Sequence, residues 1–274
     1  MAETYLHDGK PEEARKILEE NTQVDNTPEV FNILSLCYRR RKQPDYEKSL
    51  EYANKSVRLD MKNGKSWSNL GLAYLSKSGR DNIIQAEKAL KMAIRNGEDK
   101  NADTIMNLGT VSELLLHFAD AMKYYEQAMV MGEGWTLPAA NLGRVQEMIN
   151  KAVNIGDRIS GSKKLKNESI AKLRDDNDYI VLDSASLKED PCQIAACLNK
   201  AGEVKYIALT MTARAYIRIG KTVIKIVRPN FIDLKCKGKT IQYHIIENIK
   251  DVEIVAGGAR PAEVKPVSIG SSLA

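Results

Sequence analysis

The sequence predicts two folded units, a first half of paired helices in repeats and a second half that forms a small β-barrel. Apolar residues recur at helical spacing up to about residue 157, and after Asp178 they alternate as they do in strands. Charge divides in the same way. Residues 1–157 carry 21 Lys and Arg against 23 Asp and Glu, a net charge of −2, whereas residues 158–274 carry 20 against 13, a net charge of +7. A chain of 274 residues is long enough for two such units.

A short motif repeats along the first half. It occurs, exactly or as a close variant, at four places: Ile33-Leu34-Ser35, Asn69-Leu70-Gly71, Asn107-Leu108-Gly109 and Asn141-Leu142-Gly143. The last three copies lie 38 and 34 residues apart. A period of 34 residues is that of the tetratricopeptide repeat, a pair of antiparallel helices. We therefore predict an α-solenoid of tetratricopeptide repeats over residues 1–157, closed by a helix from Trp135 to about Asp157.

The second helix of each predicted pair carries small and bulky residues at regular positions. These residues are Ser49, Ala53, Ser56, Ala86, Leu90, Ala93, Ala121, Tyr125 and Ala128. Gly71 and Gly109 would let the two helices of a pair approach closely. At the start, Tyr5, Gly9 and Ala14 occupy the positions of a first-helix aromatic, a turn glycine and a second-helix alanine. We therefore expect most of a first helix to be missing before Met1.

First helices line the concave side of a stacked array, so the residues on their non-core face are candidates for a peptide-binding groove. These candidates are Asn32, Leu36, Arg39, Lys65, Ser68, Leu72, Asp103, Met106, Thr110 and Arg144. Both signs of charge are present with apolar residues between them, which suits a short peptide that carries an acid, a base and a hydrophobe. A charged face that only keeps the array soluble is the alternative. Binding of acidic chaperone tails is a minor one, because Glu29, Asn32 and Asp103 disrupt the arrangement that such tails need.

The second half opens with a basic segment, predicted as a linker over residues 158–178 or as the start of a basic helix. Runs rich in Ile, Val, Tyr and Thr follow, bounded by Gly and Pro: Tyr206 to Ile219, Thr222 to Val227, Thr240 to Ile246 and Val252 to Val255. They predict five or so short strands over residues 179–258, with the oligonucleotide/oligosaccharide-binding (OB) barrel as the leading candidate. Residues 259–274 are predicted to form a disordered tail.

Barrels of this kind often bind single-stranded nucleic acid in a basic groove by stacking bases on aromatic side chains. The candidate contacts with RNA or the ribosome are Lys163, Lys164, Arg214, Arg218, Arg228, Lys235, Lys237 and Lys239. The aromatic candidates, equally compatible with a core role, are Tyr206, Tyr216, Phe231 and Tyr243. Docking on ribosomal RNA or on an acidic protein surface would need only the charges.

The sequence carries no motif for catalysis, a cofactor or a metal. Cys37, Cys192, Cys197 and Cys236 form no CxxC pair, and the three histidines are far apart. There is neither a phosphate-binding Gly loop nor an HExxH motif, so we expect no enzyme. With no apolar stretch of about 18 residues and no leader pattern, we expect no membrane partner and a cytoplasmic location, with the nucleus as a second one.

Several local motifs match one known family. They are Gly64-Lys65-Ser66-Trp67, Leu70-Gly71, Ala73-Tyr74-Leu75-Ser76, Gly134-Trp135, Lys163-Lys164-Leu165, Arg228-Pro229-Asn230-Phe231 and Lys237-Gly238-Lys239. With the order of repeats, basic link and OB barrel, they make the chain resemble the Strap family, also called tetratricopeptide repeat protein five. The resemblance covers nearly the whole chain except the family's N-terminal repeats.

The resemblance implies a ribosome-associated adaptor. Its groove would recognise the nascent N-terminus of α- and β-tubulin, Met-Arg-Glu followed by a hydrophobe, beside the protein and rRNA of the exit tunnel, and promote tubulin mRNA decay through decay adaptor proteins. The resemblance also implies that Arg39 binds the Glu of this peptide and Asp103 binds its Arg. Members of the family are described as nuclear stress-response coactivator scaffolds too, which makes binding of transcription cofactors the alternative function.

Overall fold

A computed structural model describes residues 2–20, 26–185, 192–210, 216–236, 238–246, 250 and 252–257. The predicted tail at 259–274 lies outside these residues. The chain divides into two compact units. The first runs to Leu115 and resumes over Tyr124–Trp135, and the second comprises Leu116–Lys123 and the described chain from Thr136 onward.

Helical hairpins form the first unit. Their helices are α1 (Ala2–His7) with α2 (Pro11–Glu20), α3 (Pro28–Arg40) with α4 (Tyr46–Leu59), α5 (Gly64–Leu75) with α6 (Arg80–Ala93), and α7 (Ala102–Leu114) with the later part of α8 (Phe118–Met131). A π-helical turn, Ile94–Glu98, follows α6. The first helices start at residues whose side chains accept a backbone N–H of the first turn, Thr27, Asn63 and Asn101. These N-caps lie 36 and 38 residues apart, so the repeat period fixes where each hairpin begins.

Packing within the hairpins follows the predicted pattern. The nine small and bulky residues predicted for the second helices are all fully buried. A Cβ built on Gly71 would lie 2.8 Å from Leu90 Cγ, and one on Gly109 would lie 2.7 Å from Tyr125 Cε1. Only glycine therefore allows the helices of these two pairs to approach so closely. The prediction of a tetratricopeptide-type helical array is confirmed for the first unit.

The last copy of the motif behaves differently. Asn141-Leu142-Gly143 lies on the 26-residue helix α9 (Thr136–Gly161), where a Cβ on Gly143 would meet nothing within 4 Å. The buried stripe of α9, from Val145 to Ile159, packs against the sheet of the second unit. The predicted boundary at residue 157 thus falls inside α9, and the helix predicted to close the array belongs to the sheet unit. An apolar stripe at helical spacing fits either role, so the sequence did not distinguish them.

The predicted basic linker is largely helical. After α9 ends at Gly161, Ser162 accepts the backbone N–H of Leu165 and caps α10 (Lys163–Ile170). The first strand follows eight residues later.

One mixed sheet makes up the rest of the second unit. Its strands are β1 (Asp178–Ala185), β2 (Cys192–Asn199), β3 (Val204–Thr210), β4 (Val223–Ile226), β5 (Ile232–Cys236), β6 (Lys239–Ile246) and β7 (Val252–Ala256). The order is β5-β6-β3-β2-β1-β4-β7. Neighbours are antiparallel except for β3 and β6, which are parallel.

The sheet is strongly curled. β4 and β5 are only five residues apart in the chain, yet they stand five positions apart in the sheet, about 24 Å if it were flat. Phe231, just before β5, contacts the ring of Tyr179 in β1 at 6.0 Å and that of His244 in β6 at 5.8 Å between centroids. One apolar core joins residues of β1, β2, β3, β4, β6 and β7. Seven strands replace the five or so predicted, and assignment to the OB fold stays a prediction.

Candidate peptide-binding face of the helical array

Three first helices carry most of the predicted groove residues. We call this surface the α3–α5–α7 face and define it by Asn32, Leu36, Arg39, Lys65, Ser68, Leu72, Asp103 and Thr110. Helix α5 contacts both α3 and α7. Met106 and Arg144 depart from the prediction. Met106 is only 5% exposed and belongs to the core, and Arg144 lies on α9 of the second unit, outside the three helices that form the face.

Polar side chains on this face bond from one repeat to the next. Asn32 Nδ2 donates to Ser66 Oγ at 3.2 Å, and Asn69 Nδ2 donates to Asn32 Oδ1 at 3.1 Å. Further along, the hydroxyls of Ser68 and Thr104 lie 3.0 Å apart. Two of the predicted groove residues, Asn32 and Ser68, therefore tie neighbouring repeats together.

Arg39 is a buried cation on the face. Only 8% of its surface is exposed, and Nη1 and Nη2 donate to Asn69 Oδ1 at 3.4 and 3.3 Å, which is long for bonds from a charged donor. No carboxylate of the described residues pairs with it. Burial, with a smaller contribution from the charge of Arg40, lowers the pKa of Arg39 to about 10, so the side chain stays cationic at neutral pH. A buried charge without a counter-charge favours an anionic ligand.

Asp103 supplies the opposite charge. It is the second residue of α7 and is exposed, and its own backbone N–H is bonded to the cap residue Asn101. A carboxylate in the first turn stabilises a helix, so Asp103 has a structural role whether or not it binds a ligand. Its side chain forms no hydrogen bond or ion pair with the described residues. It is therefore open to a cationic group, as is the exposed Lys65 to an anionic one.

Apolar surface lies between these charges. Leu36 and Leu72 occupy the same position of successive repeats, two residues after the core leucine, and both are half-buried. Thr110, at the equivalent position of the next repeat, is also half-buried and donates its hydroxyl to the Met106 carbonyl. The face thus offers two leucines to a hydrophobic side chain of a ligand.

The basic residues predicted to contact RNA or the ribosome do not share one environment. Lys163, Lys164, Arg218, Arg228 and Lys235 are exposed. Lys239 lies 2.9 Å from the carboxylate of Asp157, which reduces its free charge. Arg214 and Lys237 lie outside the described residues.

The predicted stacking aromatics are mostly part of the core. Tyr243 is 1% exposed and packs against Phe118, and Tyr206 is 8% exposed and packs against Gly156. Phe231 and Tyr216 are half-buried. Tyr206 and Tyr243 are therefore not available for stacking on bases.

The sequence reasoning missed Asn69. It is the residue that accepts from Arg39 and donates to Asn32, so it connects the buried charge to the neighbouring helix. A signal was present, because Asn69 opens the repeated Asn-Leu-Gly motif, of which only the leucine and glycine were interpreted.

The cysteines expose no thiol on this face. All four cysteines are buried and free, and burial raises the pKa of Cys37 to about 12. Across the described residues, no group of three or more His, Cys, Asp or Glu side chains is placed to hold a metal ion. None of the helices that the structure describes is long and apolar enough to cross a membrane.

Comparison with known proteins gives partial matches. No family model matches the chain. The CTR9 homolog of Arabidopsis thaliana is 26% identical over 159 residues, which is 51% of this chain and 14% of that protein, so the match spans a small part of its length.

Three solved structures illustrate the structural likeness. PilF of Pseudomonas aeruginosa has a TM-score of 0.48 at 17% identity and covers 62% of this chain and 77% of its own. MamA has a TM-score of 0.45 at 22% identity, with 54% and 83% covered. The first TPR of Spaghetti (RPAP3), bound to the HSP90 peptide SRMEEVD, has a TM-score of 0.41 at 18% identity, with 46% and 99% covered. From its own hairpins, the first unit of this chain is a tetratricopeptide-type array, an architecture that presents an extended binding surface.

Proposed function

We propose that this chain is an adaptor whose helical array binds a short extended peptide, with a carboxylate of the peptide at Arg39 and a cation at Asp103. The observation that carries the proposal is Arg39, a buried guanidinium that has an amide oxygen but no carboxylate among the described residues. A cation in this position is unfavourable for folding alone, and it becomes favourable when a ligand supplies the negative charge.

The helices separate the two charges that the ligand must carry. α5 lies in contact with both α3 and α7, and packed helices are about 8–10 Å apart, so the helices of Arg39 and Asp103 are about 16–20 Å apart. Successive side chains of an extended peptide point in opposite directions. An Arg and a Glu at adjacent positions, in either order, therefore direct their charges to different helices, and a neighbouring apolar residue has Leu36 and Leu72 available.

The nascent N-terminus of α- or β-tubulin, Met-Arg-Glu followed by a hydrophobe, carries such a pair of charges beside an apolar residue, and we take it as the specific ligand. The Strap-family resemblance supports this choice and supplies the order of the peptide residues. The adaptor would then act in the cytoplasm on translating ribosomes and bring mRNA decay adaptor proteins to tubulin messages. A scaffold for transcription cofactors would not require a ligand that brings a negative charge to Arg39. The unpaired charge of Arg39 therefore favours the tubulin function.

For the second unit we propose an OB barrel that contacts the ribosome. The pairings support this fold: an antiparallel meander of β1, β2 and β3, a parallel β3–β6 pair, and one chain segment, β4 and β5, that pairs with β1 at one end and β6 at the other. The exposed Lys163, Lys164, Arg228 and Lys235 would face rRNA or an acidic ribosomal protein.

Co-sedimentation with ribosomes that display nascent tubulin tests the proposal. The wild type should sediment with these ribosomes and not with ribosomes that display an unrelated nascent chain. Arg39→Ala and Asp103→Ala should each abolish this. Arg40→Ala is the matched control, because Arg40 is the adjacent arginine of the same helix and is exposed. Equal recovery of Arg39→Ala and Arg40→Ala on tubulin-displaying ribosomes would contradict the proposal.

A further inference from the structure

Arg39 stands at one end of a continuous chain of hydrogen bonds. The chain runs from Arg39 to Asn69, Asn32, Ser66 and Ser56 and ends at the backbone carbonyl of Pro28, with the two Ser oxygens 2.7 Å apart and Ser56 Oγ 2.8 Å from the carbonyl oxygen. Its members lie on α3, α5 and α4, so it crosses two repeats. Ser56 and Ser66 are fully buried, so water cannot replace the bond between them.

The direction of every bond in this chain is fixed. A guanidinium only donates, so Asn69 must present Oδ1 to Arg39 and Nδ2 to Asn32. Asn32 must then present Nδ2 to Ser66. A carbonyl only accepts, so Ser56 donates to Pro28 and must accept from Ser66. Both ends require the same direction, and flipping either amide would leave a donor facing a donor.

The planar guanidinium of Arg39 is thereby held with one of its hydrogen-bonding edges occupied and another edge open. Nη1 and Nη2 both donate to the single oxygen of Asn69. The remaining edge, Nε–H with the adjacent Nη–H, donates to no acceptor among the described residues. Two parallel N–H groups of this kind match the two oxygens of a carboxylate. An amide would instead bring an NH₂ group to a place that offers it only donors.

We propose that Asn69 and Asn32 are positioning residues that, through this one-way chain, hold the open edge of Arg39 toward the ligand and make the subsite select a carboxylate over an amide. This deepens the proposed function, because the carboxylate would be that of the peptide Glu. The preference for carboxylate over amide should be about 10- to 100-fold, the effect of leaving one buried polar group unpaired.

The test uses the full chain labelled with ¹⁵N-arginine and titrated with sodium acetate or acetamide at constant ionic strength. The Nε–H signal of Arg39 is assigned by its absence in Arg39→Lys. Acetate should shift it saturably, and acetamide should not. Asn69→Leu should weaken acetate binding about tenfold or more, and Ser66→Ala, two bonds further along, should weaken it less.

Asn107→Leu is the matched control, since Asn107 opens the same motif in the next repeat. It should leave the Arg39 titration unchanged. Wild-type affinity for acetate in both Asn69→Leu and Ser66→Ala, or an equal response to acetate and acetamide, would overturn the proposal. Should Asn69→Leu not fold, Asn32→Leu and Ser66→Ala give the same reading. Acetate binding at Arg39 without binding of a Met-Arg-Glu-Ile peptide would support the positioning role and contradict the tubulin function, which separates the two.

Discussion

Two arginines of the same array, Arg15 on α2 and Arg39 on α3, differ in how their charge is met. Arg15 Nε lies 3.1 Å from Glu12 Oε2, and its Nη1 pairs with Glu19, which also accepts the hydroxyl of Tyr38 at 2.7 Å. Burial alone lowers the pKa of Arg15, but the bonds and charges of the two glutamates outweigh it and raise the pKa. Arg39 is more buried, has one amide oxygen, and has a lowered pKa.

The comparison shows that the array has the means to neutralise a partly buried arginine and does not use them at Arg39. Pairing at Arg15 serves stability, because each charge has a counter-charge within the chain. At Arg39 the hydrogen-bond chain fixes orientation and leaves the charge unmet. Such a local loss of stability is expected where a residue is kept for a ligand.

The largest expected effect comes from removing the unmet charge. Arg39→Met should raise the free energy of unfolding by about 1–4 kcal/mol, as replacing buried charges by apolar groups of similar size often does. Urea denaturation followed by circular dichroism measures it. Arg40→Met, at the exposed neighbour, should change stability by less than about 0.5 kcal/mol. A large loss of stability in Arg39→Met would mean that the charge is met inside the protein after all.

Giving Arg39 the kind of partner that Arg15 has should remove its ligand. In Asn69→Asp a carboxylate replaces the amide oxygen, neutralises Arg39 and competes with an incoming acid. Affinity for a Met-Arg-Glu-Ile peptide should fall about tenfold or more, which calorimetry on the full chain would detect. Unchanged affinity would place the peptide carboxylate elsewhere.

A smaller effect of opposite sign is expected at Arg15. Arg15→Met leaves Glu19 without its cation and leaves Glu12 paired only with Arg41, so the free energy of unfolding should fall by about 1 kcal/mol, since the pairs are partly exposed. Peptide affinity should not change. The same urea series measures both arginines, and a gain in stability on Arg15→Met would remove the contrast between them.

The smallest effect is a dependence on pH. Burial raises the pKa of Glu19, but the hydrogen bonds from Tyr38 and Arg15 outweigh this effect and lower the pKa below its ordinary value. A carboxyl group with a lower pKa in the folded state stabilises the fold at pH values above its pKa in the unfolded chain, about 4.3. This stability is lost as the pH falls through the pKa of the folded state. The wild type should therefore exceed Glu19→Gln in stability by about 1 kcal/mol or less at pH 7, and the difference should shrink below pH 4. Melting curves of both proteins at pH 7 and below pH 4 would measure this change. A stability difference that stays constant with pH would contradict the pairing of Glu19 with Arg15 and Tyr38.

The hairpins could be predicted because the repeat period acts locally. Gly71, Gly109 and the buried small residues of the second helices each have one geometric role, so their spacing alone indicates the fold. Gly143 shows the limit of this reasoning. Its motif is the same, but Gly143 is exposed and meets no partner helix. The stripe of α9 from Val145 to Ile159 packs instead against a sheet that is distant in sequence, and this burial has no local signal.

The site could be predicted only in part for the same reason. Helical spacing predicts Arg39, Asn32 and Asp103 on the first helices, and they lie on α3 and α7. It also predicts Met106 for the groove, but this apolar side chain is part of the core. Asn69 was missed because its role depends on a neighbour 30 residues away in the chain. In the second unit, β1 and β2 were not resolved as separate runs, because β2 is buried along its whole length up to Leu198 and lacks alternation.

Whether Arg39 is kept for a carboxylate is tested by calorimetric binding of two peptides, Met-Arg-Glu-Ile and Met-Arg-Gln-Ile, to the wild-type chain and to Arg39→Met. The unmet charge of Arg39 predicts that the wild type binds the Glu peptide at least about tenfold more tightly than the Gln peptide, and that Arg39→Met binds both equally weakly. Equal affinity of the wild type for the two peptides, or a preference that survives in Arg39→Met, would contradict it.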